Sequence, residues 1–191
     1  MNTFITIFHK TKETFDYLDE QFEDTLNTNC NLIFMIVGAI SGVNIVFSDA
    51  RTIEILGRGT GVFLASTIAI LLSAGISLII CRYFITYLIY GVGRILKGQS
   101  EVIDIRVVTA YSLIPIFLEF PIVVYLGITH KHEQLTGIKY WIIYGFYSIV
   151  WVLRLKIMIQ GLIRFNKYGL MKALINVGII FILGLSLYML T

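Results

Sequence analysis

Arg82 and Glu119 are ionisable residues that stand inside long apolar runs of this sequence. A charged group at the centre of a hydrocarbon layer costs at least about 2.5–3.5 kcal/mol on insertion scales, so such a residue needs a reason to be there. Glu119 lies between Pro115 and Pro121. Each proline removes a backbone donor and frees a carbonyl, which bends or breaks the helix that carries it. Two chemistries follow. In one, Arg82 and Glu119, or a protonated Glu119 and a freed carbonyl, fix helix packing through a buried polar contact. In the other, they line a polar route for an ion or small solute. Arg82 also sits late enough in its run to snorkel to the membrane surface. Helix rotation decides between these, and spacing leaves them open.

Other residue patterns point away from chemistry. Gly57-Arg58-Gly59-Thr60-Gly61 follows no strand and lacks the Gly-Lys-Ser/Thr ending of a phosphate loop. His130, His132 and Glu133 share a polar loop, where solvation is the simpler reading than a metal. Cys30 and Cys81 are too few for a disulfide framework and read as small buried hydrophobes. No Ser/His/Asp set, Cys/His set or carboxylate pair stands out. The sequence predicts no catalytic centre, no metal and no cofactor.

The elements that must position these residues follow from composition. The 191 residues are 57% apolar and 14% charged, with a mean hydropathy of +0.83. Globular domains carry about 25% charged residues, and a chain this short cannot hide the apolar excess in one core. Its outer solvent is therefore lipid. That excludes a cytosolic enzyme, a secreted disulfide scaffold and a disordered tail; with a net charge of +3 and no basic run, nucleic acid is not expected either.

A span needs about 20 mostly apolar residues. Stretches at about 30–48, 60–90, 107–129, 138–160 and 170–190 qualify, which predicts an all-α polytopic bundle of five transmembrane helices. With the N-terminus inside, segments 10–12, 94–106 and 154–172 hold ten Lys and Arg, against four in segments 51–58 and 131–139. Basic residues stay on the cytoplasmic side, so the N-terminus is expected inside and the C-terminus outside. Two small-xxx-small pairs, Gly38/Gly42 and Ser73/Ser77, would let helices approach closely and leave room for a homo-oligomer. Tyr140, Tyr144, Tyr147 and Trp151 share one face of the fourth span; Tyr140 and the adjacent Trp141 fit an interfacial belt, the others packing between helices.

Residues 1–29 form an acidic arm. Phe4, Phe8, Phe15, Leu18, Phe22 and Leu26 recur at helical spacing, opposite Glu13, Asp16, Asp19, Glu20, Glu23 and Asp24. This predicts an amphipathic helix lying on the bilayer with its acids in the cytosol, and equally an acidic docking surface for a protein partner. No signal peptide opens the chain. The basic residues Arg94, Lys97, Arg106, Arg164 and Lys167 are the complementary candidates for contact with a partner or with anionic lipid.

The segment YGVGRILKGQSEVIDIRVVTAYSLIP, from Tyr90 to Pro115, resembles the signature of the Yip domain family, five-span membrane proteins named for interaction with Ypt/Rab GTPases. The likeness lies in Gly98-Gln99-Ser100 after a long second span, then Tyr111-Ser112-Leu113-Ile114-Pro115 in the third. Trp151, Gly161-Leu162 and the basic residues before the last span are also similar to bacterial members. The resemblance implies a five-span, N-inside fold and a non-enzymatic role in organising membranes or partner proteins. Eukaryotic members have long cytosolic N-terminal regions, whereas this arm is short, which places the likeness with the bacterial branch and the bacterial cytoplasmic membrane.

Overall fold

The computed structural model describes residues 3–48, 60–129 and 137–189. These are helical, with no strand among the described residues. Two short helices, α1 (Thr3–His9) and α2 (Thr11–Asp19), precede a long α3 (Glu23–Ser48). Next, α4 (Thr60–Ile79) continues through a π-helical turn (Ile80–Ile85) into α5 (Thr86–Ile95). The third apolar run divides into α6 (Val102–Ser112), a 3-10 turn (Ile114–Leu118) and α7 (Phe120–Thr129). Finally come α8 (Ile138–Asn166) and α9 (Leu170–Met189).

By length and composition, three stretches can cross a membrane: Glu23–Val46, Leu64–Ile95 and Tyr140–Asn166. A fourth arises if the bent pair Val102–Leu118 and Phe120–Leu126, which turn through 42° against each other, counts as one crossing. The described apolar part of α9, Leu170–Ile182, is shorter. The five-span expectation is thus met by three or four candidates. Large hydrophobic side chains such as Leu64, Leu71, Leu72 and Trp141 point outward, more than half exposed. An apolar exterior of that extent is compatible with a membrane location.

The closest packing in the bundle joins α3 to α4. The two small-residue pairs face each other here: a Cβ on Gly38 would lie 2.4 Å from Ser77 Cβ, and one on Gly42 would lie 2.9 Å from Ile70 Cα. The pair that could have served a dimer is consumed within the chain. Tyr144 and Trp151 are 51% and 43% exposed, in contrast to the expected burial between helices, though Trp151 meets Phe181 edge-on at 5.9 Å.

The arm differs most from expectation. A single amphipathic helix lying on lipid would keep one phase from Phe4 to Leu26; the chain instead breaks after His9 and again at Glu20–Phe22, and α3 already begins at Glu23. Phe22 is 86% exposed, while Ile7, absent from the predicted stripe, is fully buried. Ile7, Phe15 and Leu18 belong to the same buried cluster as Ile105, Val108 and Leu162. The apolar face of the arm is covered by protein because α2 seats against α8.

Close approach at α3–α4 makes a simple prediction. Gly38→Ala must push Ser77 or the α4 backbone away and should cost about 1–3 kcal/mol, lowering the melting temperature in detergent. Gly75→Ala, where a Cβ meets nothing within 4 Å, should leave it unchanged or raise it slightly.

Candidate functional site

The broken third run is where backbone and charge come together. Pro115 cannot donate, and α6 stops at Ser112 just before it. Ser112 Oγ donates to Thr109 O at 2.8 Å, engaging one carbonyl of the last turn of α6, and Thr109 Oγ donates back to Ile105 O at 2.8 Å. Tyr111 and Ser112 are both buried. The Tyr-Ser-x-x-Pro pattern therefore works as a helix stop inside the bundle. Pro121 stands second in α7, where a missing donor costs no intrahelical bond.

Glu119 ends the 3-10 turn, half-buried. The cation acting on it is Arg154 of α8. Arg154, counted with the cytoplasmic charges in the sequence, lines a small cavity of about 190 Å³ with Thr109, Ser112 and Trp151, its guanidinium 5.2 Å from the Trp151 ring centre. Arg82 goes elsewhere, its Nη1 donating to Asn31 Oδ1 at 3.0 Å. The Arg82–Glu119 pairing considered from sequence does not form; Arg82, carried in the π turn, is bonded to α3 instead.

Arg106 was expected on a basic surface. It is 9% exposed, and its Nη1 donates to Asn27 Oδ1. Arg94 and Lys97 remain exposed. Arg94 reaches the Tyr90 ring and Gly98 O, and Lys97 takes a left-handed φ of 64° at the end of α5. The cap there is a 6→1 bond from Gly98 N to Gly93 O, 2.8 Å, with Lys97 N to Arg94 O, 3.0 Å.

Asn166 holds the loop after this cap. It is 1% exposed, its Oδ1 accepts from Ser100 Oγ at 2.8 Å, and its carbonyl accepts from Gln99 N at 3.2 Å. A Cβ on Gly98 would fall 2.0 Å from Asn166 Oδ1, so only glycine fits. Asn176, fully buried on α9, donates to Ile89 O and to Tyr168 Oη. Gly98-Gln99-Ser100 is thus a clasp between the α5–α6 loop and the end of α8. Asparagines in helices drew no attention in the sequence; their mark is an amide among apolar neighbours.

The arm closes the same end. Phe15 meets Phe165 edge-on at 5.8 Å and sits over Gly161, where a Cβ would come within 2.9 Å of Phe15 Cζ. Lys156 Nζ donates to Phe8 O at 3.2 Å. Arg164 pairs with both Asp16 and Asp19. Those acids, expected as free contact points, are committed within the chain, whereas Glu20, Glu23 and Asp24 stay exposed. Between arm and bundle opens a polar groove of about 620 Å³, lined by Asp19, Glu23, Glu101 and Asp104 with Arg164 and the exposed Lys167. Glu101 N donates to Asp104 Oδ2 at 2.7 Å, a reciprocal cap that fixes the start of α6.

Magnitudes separate what holds the arm from what orients it. Fully burying a side chain such as Phe15 or Leu18 contributes about 1.5–3 kcal/mol each. The Arg164 pairs are about one-third to two-fifths exposed, so each is worth at most about 1 kcal/mol. Phe15→Ala should therefore cost about 3–5 kcal/mol and open Lys10 and Lys12 to trypsin. Arg164→Gln should change stability by no more than about 1–2 kcal/mol and leave the arm protected. Limited proteolysis and melting curves of the two variants check this ordering.

Comparison of the chain with models of known protein families, with curated proteins and with solved structures finds no match in any of the three.

Proposed function

We propose that the chain is a non-enzymatic, five-span membrane protein of the Yip-like kind that organises a partner protein at the inner face of a bacterial cytoplasmic membrane. The fifth crossing would be α9, whose 20 residues (Leu170–Met189) extend about 30 Å. In the N-inside, C-outside orientation given by the basic-residue count, the arm and its groove face the cytoplasm.

The observation that carries this reading is the groove. Asp19, Glu23, Glu101 and Asp104 outnumber Arg164 and Lys167 on its walls, and Arg164 is already held by Asp16 and Asp19. A lysine- or arginine-bearing segment is the complementary occupant. Truncating residues 1–28 is a poor test, since it would strip Ile7, Phe15 and Leu18 from the core and remove the first turn of α3. The better test is Glu23→Gln combined with Glu101→Gln, followed by capture from native membranes in mild detergent. A partner enriched by the wild type should fall about tenfold or more with the double variant, a loss of roughly 1.4 kcal/mol; equal enrichment removes the groove from the reading.

A second reading, a small transporter or ion conduit, is favoured by the broken run, where Arg154, Thr109 and Ser112 line a cavity and Glu119 lies within electrostatic reach of Arg154. It predicts that Glu119→Gln abolishes flux in liposomes while the protein keeps its melting temperature. Flux equal to wild type would dispose of that role.

A further inference from the structure

Arg82 and Arg106 come from different helices and land one turn apart on α3, at Asn31 and Asn27. Cys30 lies between these positions, and the two charges acting on its thiol are these same guanidiniums. The delivery of Arg82 depends on the π turn. Ser77, on the preceding helix, faces α3 at Gly38, and the widened turn that follows carries Arg82. Thr86 Oγ donates to Cys81 O at 2.7 Å and stitches the widened turn. Arg106 arrives from the first turns of α6.

Neither arginine has an ion pair among the described residues, and each is met by a neutral amide oxygen. The Nε atoms of both are buried without a hydrogen-bond partner. Asp104, the carboxylate nearest Arg106 in sequence, is spent on the backbone of Glu101. Two cations withdrawn from water with no anion between them are an incomplete arrangement, because an amide dipole cancels none of their charge. Guanidinium forks match the oxygens of a phosphate. Arg106 is covered, whereas Arg82 keeps part of its surface open and leaves an approach.

We propose that Arg82 and Arg106 form a binding site for a phosphate oxyanion, carried by a lipid headgroup or free in solution. Asn27 and Asn31 hold the two guanidiniums apart and orient them, and the anion bridges their remaining N–H groups. The site lies one to two turns into α3, roughly 6–12 Å from its start, which is headgroup depth for a helix that spans a bilayer. The lipid alternative rests on the membrane reading above. The groove uses other residues, so failure of one site leaves the other standing.

The test titrates the full chain in a neutral detergent with short-chain phosphatidylglycerol, short-chain phosphatidylcholine and inorganic phosphate, reading melting temperature and binding by native mass spectrometry. Phosphatidylglycerol or phosphate should bind and raise the melting temperature, and Arg82→Gln should weaken that binding about tenfold or more, with Arg82→Lys between because it keeps charge without the fork. Binding of inorganic phosphate as tight as that of phosphatidylglycerol assigns a free anion; phosphatidylglycerol alone assigns a lipid headgroup. Arg82→Gln carries the test, since buried Arg106 is less tolerant of replacement. Equal affinity in wild type and Arg82→Gln for whichever of the three binds, or no response to any of them, overturns the proposal.

Discussion

Polar groups enclosed by apolar helices have no water to turn to, so each must be answered from within the chain or by a ligand. This constraint shapes most of what is specific in the bundle. Amides do most of the answering. Asn27 and Asn31 receive arginines from α6 and the π turn, Asn166 clasps Ser100 and Gln99, and Asn176 bridges Ile89 and Tyr168. All of these except Asn176–Tyr168 join segments far apart in sequence, so the polar interior fixes which helix lies beside which. Hydrophobic burial alone, being non-directional, would not.

Deviations from regular helix place these groups. The π turn at Ile80–Ile85 turns Arg82 to α3, and the 3-10 turn at Ile114–Leu118 carries Glu119 to α8. Both interruptions fall in long apolar runs that would otherwise present one unbroken face to lipid. Where α3 and α4 are regular, they instead approach through Gly38 and Gly42. Close backbone contact there and bent backbone elsewhere are complementary ways of bringing helices together without bulky interfaces.

The apolar helices were legible in the sequence because length and hydropathy are local properties, and the break in the third run was legible because proline acts on its own backbone. The partners of Arg82 and Glu119 were not legible. Spacing left open whether Arg82 met Glu119, a freed carbonyl or the membrane surface; it donates to Asn31, and rotation about a π turn leaves no mark in residue spacing. The arm shows the same limit. Its stripe announced one buried face, but a stripe reads alike whether lipid or protein covers it, and the opposing Gly161 lies far along the chain. The exposed Phe22 and buried Ile7 mark where two breaks reset the phase.

The docking of the arm also has a consequence in time. Asp16 and Arg164 are separated by 148 residues, so the arm meets its counterpart only after that much further chain has been synthesised. Until α8 exists, Ile7, Phe15 and Leu18 lack the helix that seats them, and only part of their buried cluster has been made. Closure of the arm is therefore a late event in assembly. Its burial reports that helices made long after it have reached their places.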